Sequence, residues 1–243
     1  MPAARVVRVE GDIVIRPAKP WTPTVHALLR HLRAEGLPVP APLGIADGVE
    51  RVTLVPGDAG DAAWAHQATT SAVASAGRLL RRIHDATRDW DPPVGAVWSV
   101  PAEGGDVICH GDPQPPNMAW RDGVAVGLFD WDAARPAAPL SDVAYALEWS
   151  TPFSMDPAGL RMRGLTAEVD RRSRIDALLD GYGWEGPIDV VDAVLARQQR
   201  AIDEVVHLGR QGHEPHAAWV AAGWPARWRS KLRETESLRA CVE

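Results

Sequence analysis

The stretch VICHGDPQPPNMAW, residues 107–120, starts as a strand and then changes character. Val107 and Ile108 are β-branched residues that suit a buried strand, and Cys109 beside them reads as a small buried residue rather than a nucleophile. The chain then turns polar and proline-rich, presenting His110, Asp112 and Asn117 in a loop where Pro113, Pro115 and Pro116 each fix φ. A loop this stiff keeps an acid and an amide in place relative to one another. Downstream, GVAVGLFDWD, residues 123–132, reads as the hairpin partner and carries Asp130 to a strand end. Two carboxylates and an amide carbonyl thus converge, and an all-oxygen donor set favours a hard divalent ion such as Mg2+ over zinc. Asp132 alternates with Asp130 along the strand and is expected on the opposite face.

Moving upstream, SAVASAGRLLRRIHDAT, residues 71–87, carries Val73, Ala76, Leu79, Leu80 and Ile83 at helical spacing. Ahead of it Pro, Gly and Asp cluster at residues 56–60, which marks a hinge. Before the hinge, RVVRVEG and DIVIRPA form a hairpin about Glu10, Gly11 and Asp12, and APLGIA and ERVTLVPG form a second about Asp47 and Gly48. Between the two hairpins, PWTPTVHALLRHLRAEG predicts a helix capped by Thr22, with Pro23 at its first position and Gly36 as its stop. After the polar loop, helices are expected over roughly 140–150, 170–182, 189–209 and 215–240. The pattern is α+β: a small β-rich part, residues 1–57, and a larger, mainly helical part, residues 58–243.

Composition narrows the function classes. A chain of 243 residues, 46% hydrophobic and 24% charged, is long enough for one large domain or two unequal ones. Net charge is -6, divided as +2 over residues 1–57 (7 Lys/Arg, 5 Asp/Glu) and -8 over the rest (19 and 27). That balance argues against a nucleic-acid partner, whose phosphates call for a basic face. Cys109 and Cys241 are too far apart to suggest a disulfide framework or a zinc site. Neither the apolar core of a signal peptide nor a run long enough to span a membrane is visible, so a cytoplasmic location is expected. Nothing in the pattern speaks to oligomeric state.

The order His-x-Asp-x-x-x-x-Asn followed by an Asp at a strand end is how protein kinases set a base against a hydroxyl and hold metal around nucleotide phosphates. HGDPQPPN, residues 110–117, and LFDWD, residues 128–132, reproduce it. With PLSDVAYAL (139–147), GRLLRRIHDAT (77–87) and VIRPAKPWTPTVHALLRHLRAEG (14–36), the chain resembles the aminoglycoside phosphotransferase family of kinase-like small-molecule enzymes. The resemblance spans most of the chain. It implies a protein-kinase-like two-lobe fold and transfer of the γ-phosphoryl group of ATP or GTP to a hydroxyl of an aminoglycoside-like antibiotic or metabolite. Asp112 would then orient or deprotonate that hydroxyl, while Asn117 and Asp130 would bind Mg2+ bridging the phosphates. His110 would hold the loop through hydrogen bonds, and Asp142 would cap a helix or anchor the loop.

The first lobe departs from the family pattern. Only fifteen residues precede Arg16, the candidate for the phosphate-contacting Lys position with Lys19 as alternate, which leaves no room for a full Gly-rich loop. The helix that should offer a carboxylate to that position shows His26 instead, so the usual ion pair is not expected. These departures motivate an alternative: a degenerate kinase that sequesters or senses a small ligand without turnover. His207, His213 and His216 lie near one another across a Gly-containing break with no carboxylate companion, a weak pattern for a metal. The eleven Trp are expected mostly as core or groove filler.

Overall fold

Two tight turns build the small sheet of this computed structural model, which describes residues 7–153, 157–166 and 168–242. Strand β1 (Arg8–Glu10) turns through Gly11 into β2 (Ile13–Pro17), so Glu10 faces Ile13. Residues 5 and 6 of the expected first strand lie outside the described residues. Helix α1 (Thr22–Ala34) follows, and then β3 (Pro42–Ala46) and β4 (Val49–Thr53). Asp47 and Gly48 join β3 to β4 with φ of 52° and 70°, the left-handed pair that a two-residue hairpin turn requires. The order is β1-β2-β4-β3, all antiparallel, with Arg16 on β2 directly opposite Glu50 on β4. Thr22 does not cap α1: the helix already includes it, and its hydroxyl instead accepts from the Lys19 N–H at 2.8 Å, closing the turn before the helix.

Beyond the sheet the chain becomes mainly helical. A short α2 (Ala63–His66) leads to α3 (Thr70–Thr87), whose first turn is capped by the Thr69 hydroxyl accepting from the Ala72 N–H. The strand that opens the polar loop, β5 (Val107–Cys109), is followed by β6 (Met118–Arg121), β7 (Val124–Leu128) and β8 (Arg135–Ala137). Here the expected pairing is corrected. β7 pairs with β6, while β5 pairs with β8, because the loop contains its own strand and β7 takes the nearer partner.

Five helices fall within or close to the expected spans: α4 (Leu140–Ser150), α6 (Arg171–Tyr182) and α7 (Val190–Arg210), then α8 (His216–Ala221) and α9 (Trp224–Ser237), the latter two separated by Gly223 in the left-handed region. The sequence reading runs 215–240 as one helix and does not anticipate this break, nor the short α5 (Pro157–Met162) and the closing α10 (Arg239–Val242). Helices α3 and α6 cross at very short range: a Cβ on Gly77 would lie 2.4 Å from the Leu178 carbonyl, and one on Gly181 would lie 2.2 Å from that of Ala74. Only hydrogen fits at either position. One apolar core runs from α1 (Val25, Leu28, Leu32) through α3 (Leu79, Leu80, Ile83) to β6, β7, α4, α6 and α7. The architecture is therefore the expected one, a small sheet-containing N-terminal region and a helical C-terminal part. No described helix is long and apolar enough to cross a membrane.

Candidate active site

The polar loop is tied from beneath by a buried carboxylate. Asp142, in the first turn of α4, accepts from the His110 N–H at 2.6 Å on Oδ2 and from the Gly111 N–H at 2.8 Å on Oδ1. It is thus the loop anchor of the two roles expected for it. His84 of α3 donates Nε2–H to Asp142 at 3.1 Å, which leaves Nδ1 to accept from the Tyr182 hydroxyl of α6 at 2.8 Å. Burial would raise the Asp142 carboxyl, but the hydrogen bonds from His84 and the Gly111 N–H outweigh it and bring the pKa down to about 2. His110 donates Nε2–H to the Phe129 carbonyl at 2.9 Å and accepts from the Asp112 N–H on Nδ1 at 3.2 Å. Both ring nitrogens are spent on holding the loop. Gly111 has φ of +85°, and a Cβ there would meet the Ala133 carbonyl at 2.2 Å, so the loop passes where no side chain fits.

Asp112 and Asn117 are brought into direct contact. The Asn117 side-chain amide donates to Asp112 Oδ2 and to the Asp112 backbone carbonyl, each at 2.9 Å, and Gln114 Nε2 adds a bond to Oδ2 at 3.1 Å. With its N–H2 group committed inward, Asn117 keeps its carbonyl oxygen for a ligand. Asp112 Oδ1 is buried and has no hydrogen-bond partner among the described residues. Burial raises the Asp112 pKa above its ordinary value, with the Asp130 charge adding to the rise and Tyr145, His110 and Gln114 opposing it. A carboxylate so placed is a better proton acceptor than a solvated one.

Asp130 follows β7 at φ 61°, a left-handed conformation uncommon for a residue with a Cβ, and a short 3-10 turn over Trp131–Ala133 follows it. This turn overturns the strand alternation expected for Asp132. Asp130 and Asp132 face the same group: Arg16 donates Nη1–H to Asp130 at 2.8 Å and Nη2–H to Asp132 at 2.9 Å. Trp131 between them is buried, donating Nε1–H to the Leu128 carbonyl at 3.2 Å. The third arm of Arg16 donates Nε–H to Glu50 at 2.7 Å. Burial works against the Arg16 charge, but Asp132, Asp130 and Glu50 more than restore it and hold the pKa above its ordinary value.

Arg16 is thus no solvent-facing surface side chain, and it has an ion-pair partner after all. The partner comes from the neighbouring strand rather than from α1. His26 of α1 lies 4.0 Å from the second Glu50 oxygen, and burial lowers its pKa despite Glu50, so it adds no cation there. Sequence reasoning missed Glu50. The available signal was its parity with Val52, which puts a carboxylate on the inward face of β4 beside Arg16.

Three of these carboxylates meet at a cavity of about 550 Å³. Asp112, Asp130, Asp132 and Lys19 line it together with residues of α4, α7, α8 and α9. Its wall is braced by buried arginines. Arg197 donates to the Gly111 carbonyl at 2.7 Å and to Glu204 at 3.1 Å, and Arg135 donates to Glu204 at 2.7 Å and to Glu103 at 2.5 Å. The donor set of Asn117, Asp130 and Asp132 is oxygen throughout and fits a hard divalent cation. His207, His213 and His216 do not gather a metal-like cluster. Among the described residues the one such group is His84, Cys109 and Asp142, buried beneath the loop, where His84 and Asp142 already hold the hydrogen bonds described above.

Three comparisons bear on this geometry. The model of the phosphotransferase enzyme family matches residues 5–98 and 96–178. The trifolitoxin immunity protein of Rhizobium leguminosarum bv. trifolii is 34% identical over 258 residues, a match covering 96% of this chain and 93% of that protein. Among solved structures, apo macrolide 2'-phosphotransferase MphH from Brachybacterium faecium is similar with a TM-score of 0.54 at 16% identity, covering 91% of this chain and 92% of the other. The ternary complex of APH(2")-IIa with streptomycin and ATP is similar with a TM-score of 0.53 at 13% identity, covering 83% and 87%. At these identities the two structures speak to the fold alone.

Proposed function

We infer the function of this chain from its kinship and its site together: it belongs to the phosphotransferase enzyme family, and the activity we propose is transfer of the γ-phosphoryl group of ATP or GTP to a hydroxyl of a small molecule. The observation that carries the proposal is the convergence of three stretches of chain, the loop of Asp112 and Asn117, Asp130 after β7 and Arg16 of β2, with Asp112 and Asp130 on the wall of one cavity. Asp112 is the base. Its unpartnered Oδ1 accepts the acceptor's proton as the hydroxyl attacks, while Asn117 and Gln114 fix the carboxyl through Oδ2. Asn117 and Asp130, with Asp132 beside them, would hold Mg2+, which when bound supplies positive charge against the phosphates. Arg16, oriented by Glu50, would contact the phosphates in the role of the family's Lys, and Lys19 lines the cavity.

The name of the trifolitoxin immunity protein supports an acceptor that is a toxin or antibiotic, modified to protect the cell. That name is equally compatible with the second reading, a binding protein that sequesters its ligand without turnover. An assay of nucleotide consumption across a panel of hydroxyl acceptors separates the two. The transfer reading predicts Mg2+-dependent consumption by the native protein that is lost in Asp112→Asn. No turnover with any acceptor, despite measurable binding of Mg-nucleotide, would favour sequestration.

A further inference from the structure

The acceptor end of the cavity has a character that the phosphate end does not share. Its wall is aromatic and aliphatic: Tyr145 and Trp149 from α4, Ile202 and Val205 from α7, Trp219 from α8 and Trp228 from α9. Within that wall a few buried polar atoms lack hydrogen-bond partners among the described residues, namely Asp112 Oδ1, Trp149 Nε1, Gln198 Oε1, and Nε and Nη1 of Arg197. An apolar enclosure with a few convergent, unsatisfied polar atoms is how a small-molecule site looks before its ligand arrives.

Apart from Asp112 and the exposed Glu214, the carboxylates bordering the cavity are already engaged. Arg135 and Arg197 take Glu204, and Arg16 takes Asp130 and Asp132. Glu148 is buried and accepts from Gln198 Nε2 at 3.0 Å. Burial pushes it up to about 7, although Gln198 and the Arg197 charge oppose the rise. Arg163, stacked 3.7 Å over the Trp64 ring, and Lys231 add positive charge at the same end. Glu214 is exposed on the rim. A molecule carrying several ammonium or guanidinium groups would meet rings and cations, with only Asp112 and the rim residue Glu214 left to balance its charge.

We propose that the acceptor is an uncharged, ring-bodied, predominantly apolar compound, presenting one hydroxyl to Asp112 and either an oxygen that accepts from Trp149 Nε1–H or a further hydroxyl that donates to Gln198 Oε1, and that polycationic amino sugars are excluded. This deepens the phosphotransferase reading and rests on it for the role of the hydroxyl, but the binding preference is measured without nucleotide. In calorimetry on the full chain, the flavonol quercetin and the coumarin 4-methylumbelliferone are titrated against the polycations kanamycin and streptomycin. At least one planar probe should bind saturably and insensitively to salt, and neither polycation should bind. Trp149→Ala should weaken the planar probe by about tenfold or more, as loss of a central aromatic contact does. Trp228→Leu, at a half-buried position on α9, serves as the second variant and should weaken it in the same direction. Undiminished Mg-ATP heats show that each variant is folded. Salt-dependent binding of kanamycin or streptomycin, no binding by either planar probe, or planar binding indifferent to both substitutions would overturn the proposal. Because transfer is not read here, these results stand apart from whether phosphate moves.

Discussion

Replacing Asp142 by Asn tests whether the loop is held by a buried charge. The carboxylate accepts from two backbone N–H groups and from His84. A fall in pKa from its ordinary 3.8 to about 2 means that the folded state prefers the ionised form by about 2 kcal/mol. Asn keeps one carbonyl oxygen and turns an N–H2 group toward the remaining donors, leaving a buried N–H unsatisfied at about 1–3 kcal/mol. We expect Asp142→Asn to lower stability by about 3 kcal/mol at neutral pH. With a urea slope of about 3 kcal/mol/M for a chain of this size, the midpoint should move by about 1 M. The sign with pH follows from a folded pKa below the unfolded one: the stabilisation is complete above pH about 4 and is lost as pH falls through about 2. The gap between native protein and variant should therefore narrow over that window, wherever the native protein remains folded. Urea titrations followed by tryptophan fluorescence at several pH values measure both. A midpoint shift below about 0.2 M, or a gap that does not change with acid, would refute the anchoring role.

Asp112→Asn should lower transfer by about 10²–10⁴-fold while leaving Mg-nucleotide affinity unchanged by calorimetry, since the carboxyl acts on the acceptor proton. In the native protein, turnover should fall with acid through a midpoint above the ordinary 3.8 of an aspartate, because burial raises Asp112 and its ionised form is the base; a midpoint at or below that value would remove it from the role. Asp130→Ala should abolish the metal dependence of nucleotide binding, read by titrating Mg2+ at fixed nucleotide. Arg16→Ala should weaken nucleotide binding by about tenfold and also lower the unfolding midpoint, because it leaves Glu50 buried without its ion-pair partner; Glu50→Gln in the same background should recover stability but not nucleotide affinity.

Much of this site was legible in the sequence because its chemistry is carried by local spacing. The four residues between Asp112 and Asn117 form a proline-stiffened loop, and that spacing lets the amide reach back to the carboxyl. The strands around Gly11 and Asp47-Gly48 were equally plain, because turn residues fix hairpin register. What escaped was set by tertiary structure. Asp132 shares a face with Asp130 only because the chain leaves β7 through a left-handed residue into a 3-10 turn, which strand periodicity does not announce. Glu50 was hidden as one acid in an alternating strand, and its meaning depends on β4 lying next to β2 rather than on any motif. The pairing of β5 with β8 likewise joins segments that the loop and an entire hairpin separate. The buried arginines Arg135 and Arg197 carry no sequence signature, because what makes them structural is enclosure by α4 and α7.

The most direct measurement of the central claim does not depend on guessing the acceptor. The protein is incubated with Mg2+, ATP whose γ-phosphate carries oxygen-18, and a mixture of hydroxyl compounds, and the small molecules are then resolved by mass spectrometry. The account predicts a product that gains one labelled phosphoryl group with the native protein and no such product with Asp112→Asn. Labelled inorganic phosphate alone, or an equal yield of phosphorylated product from the variant, would contradict it.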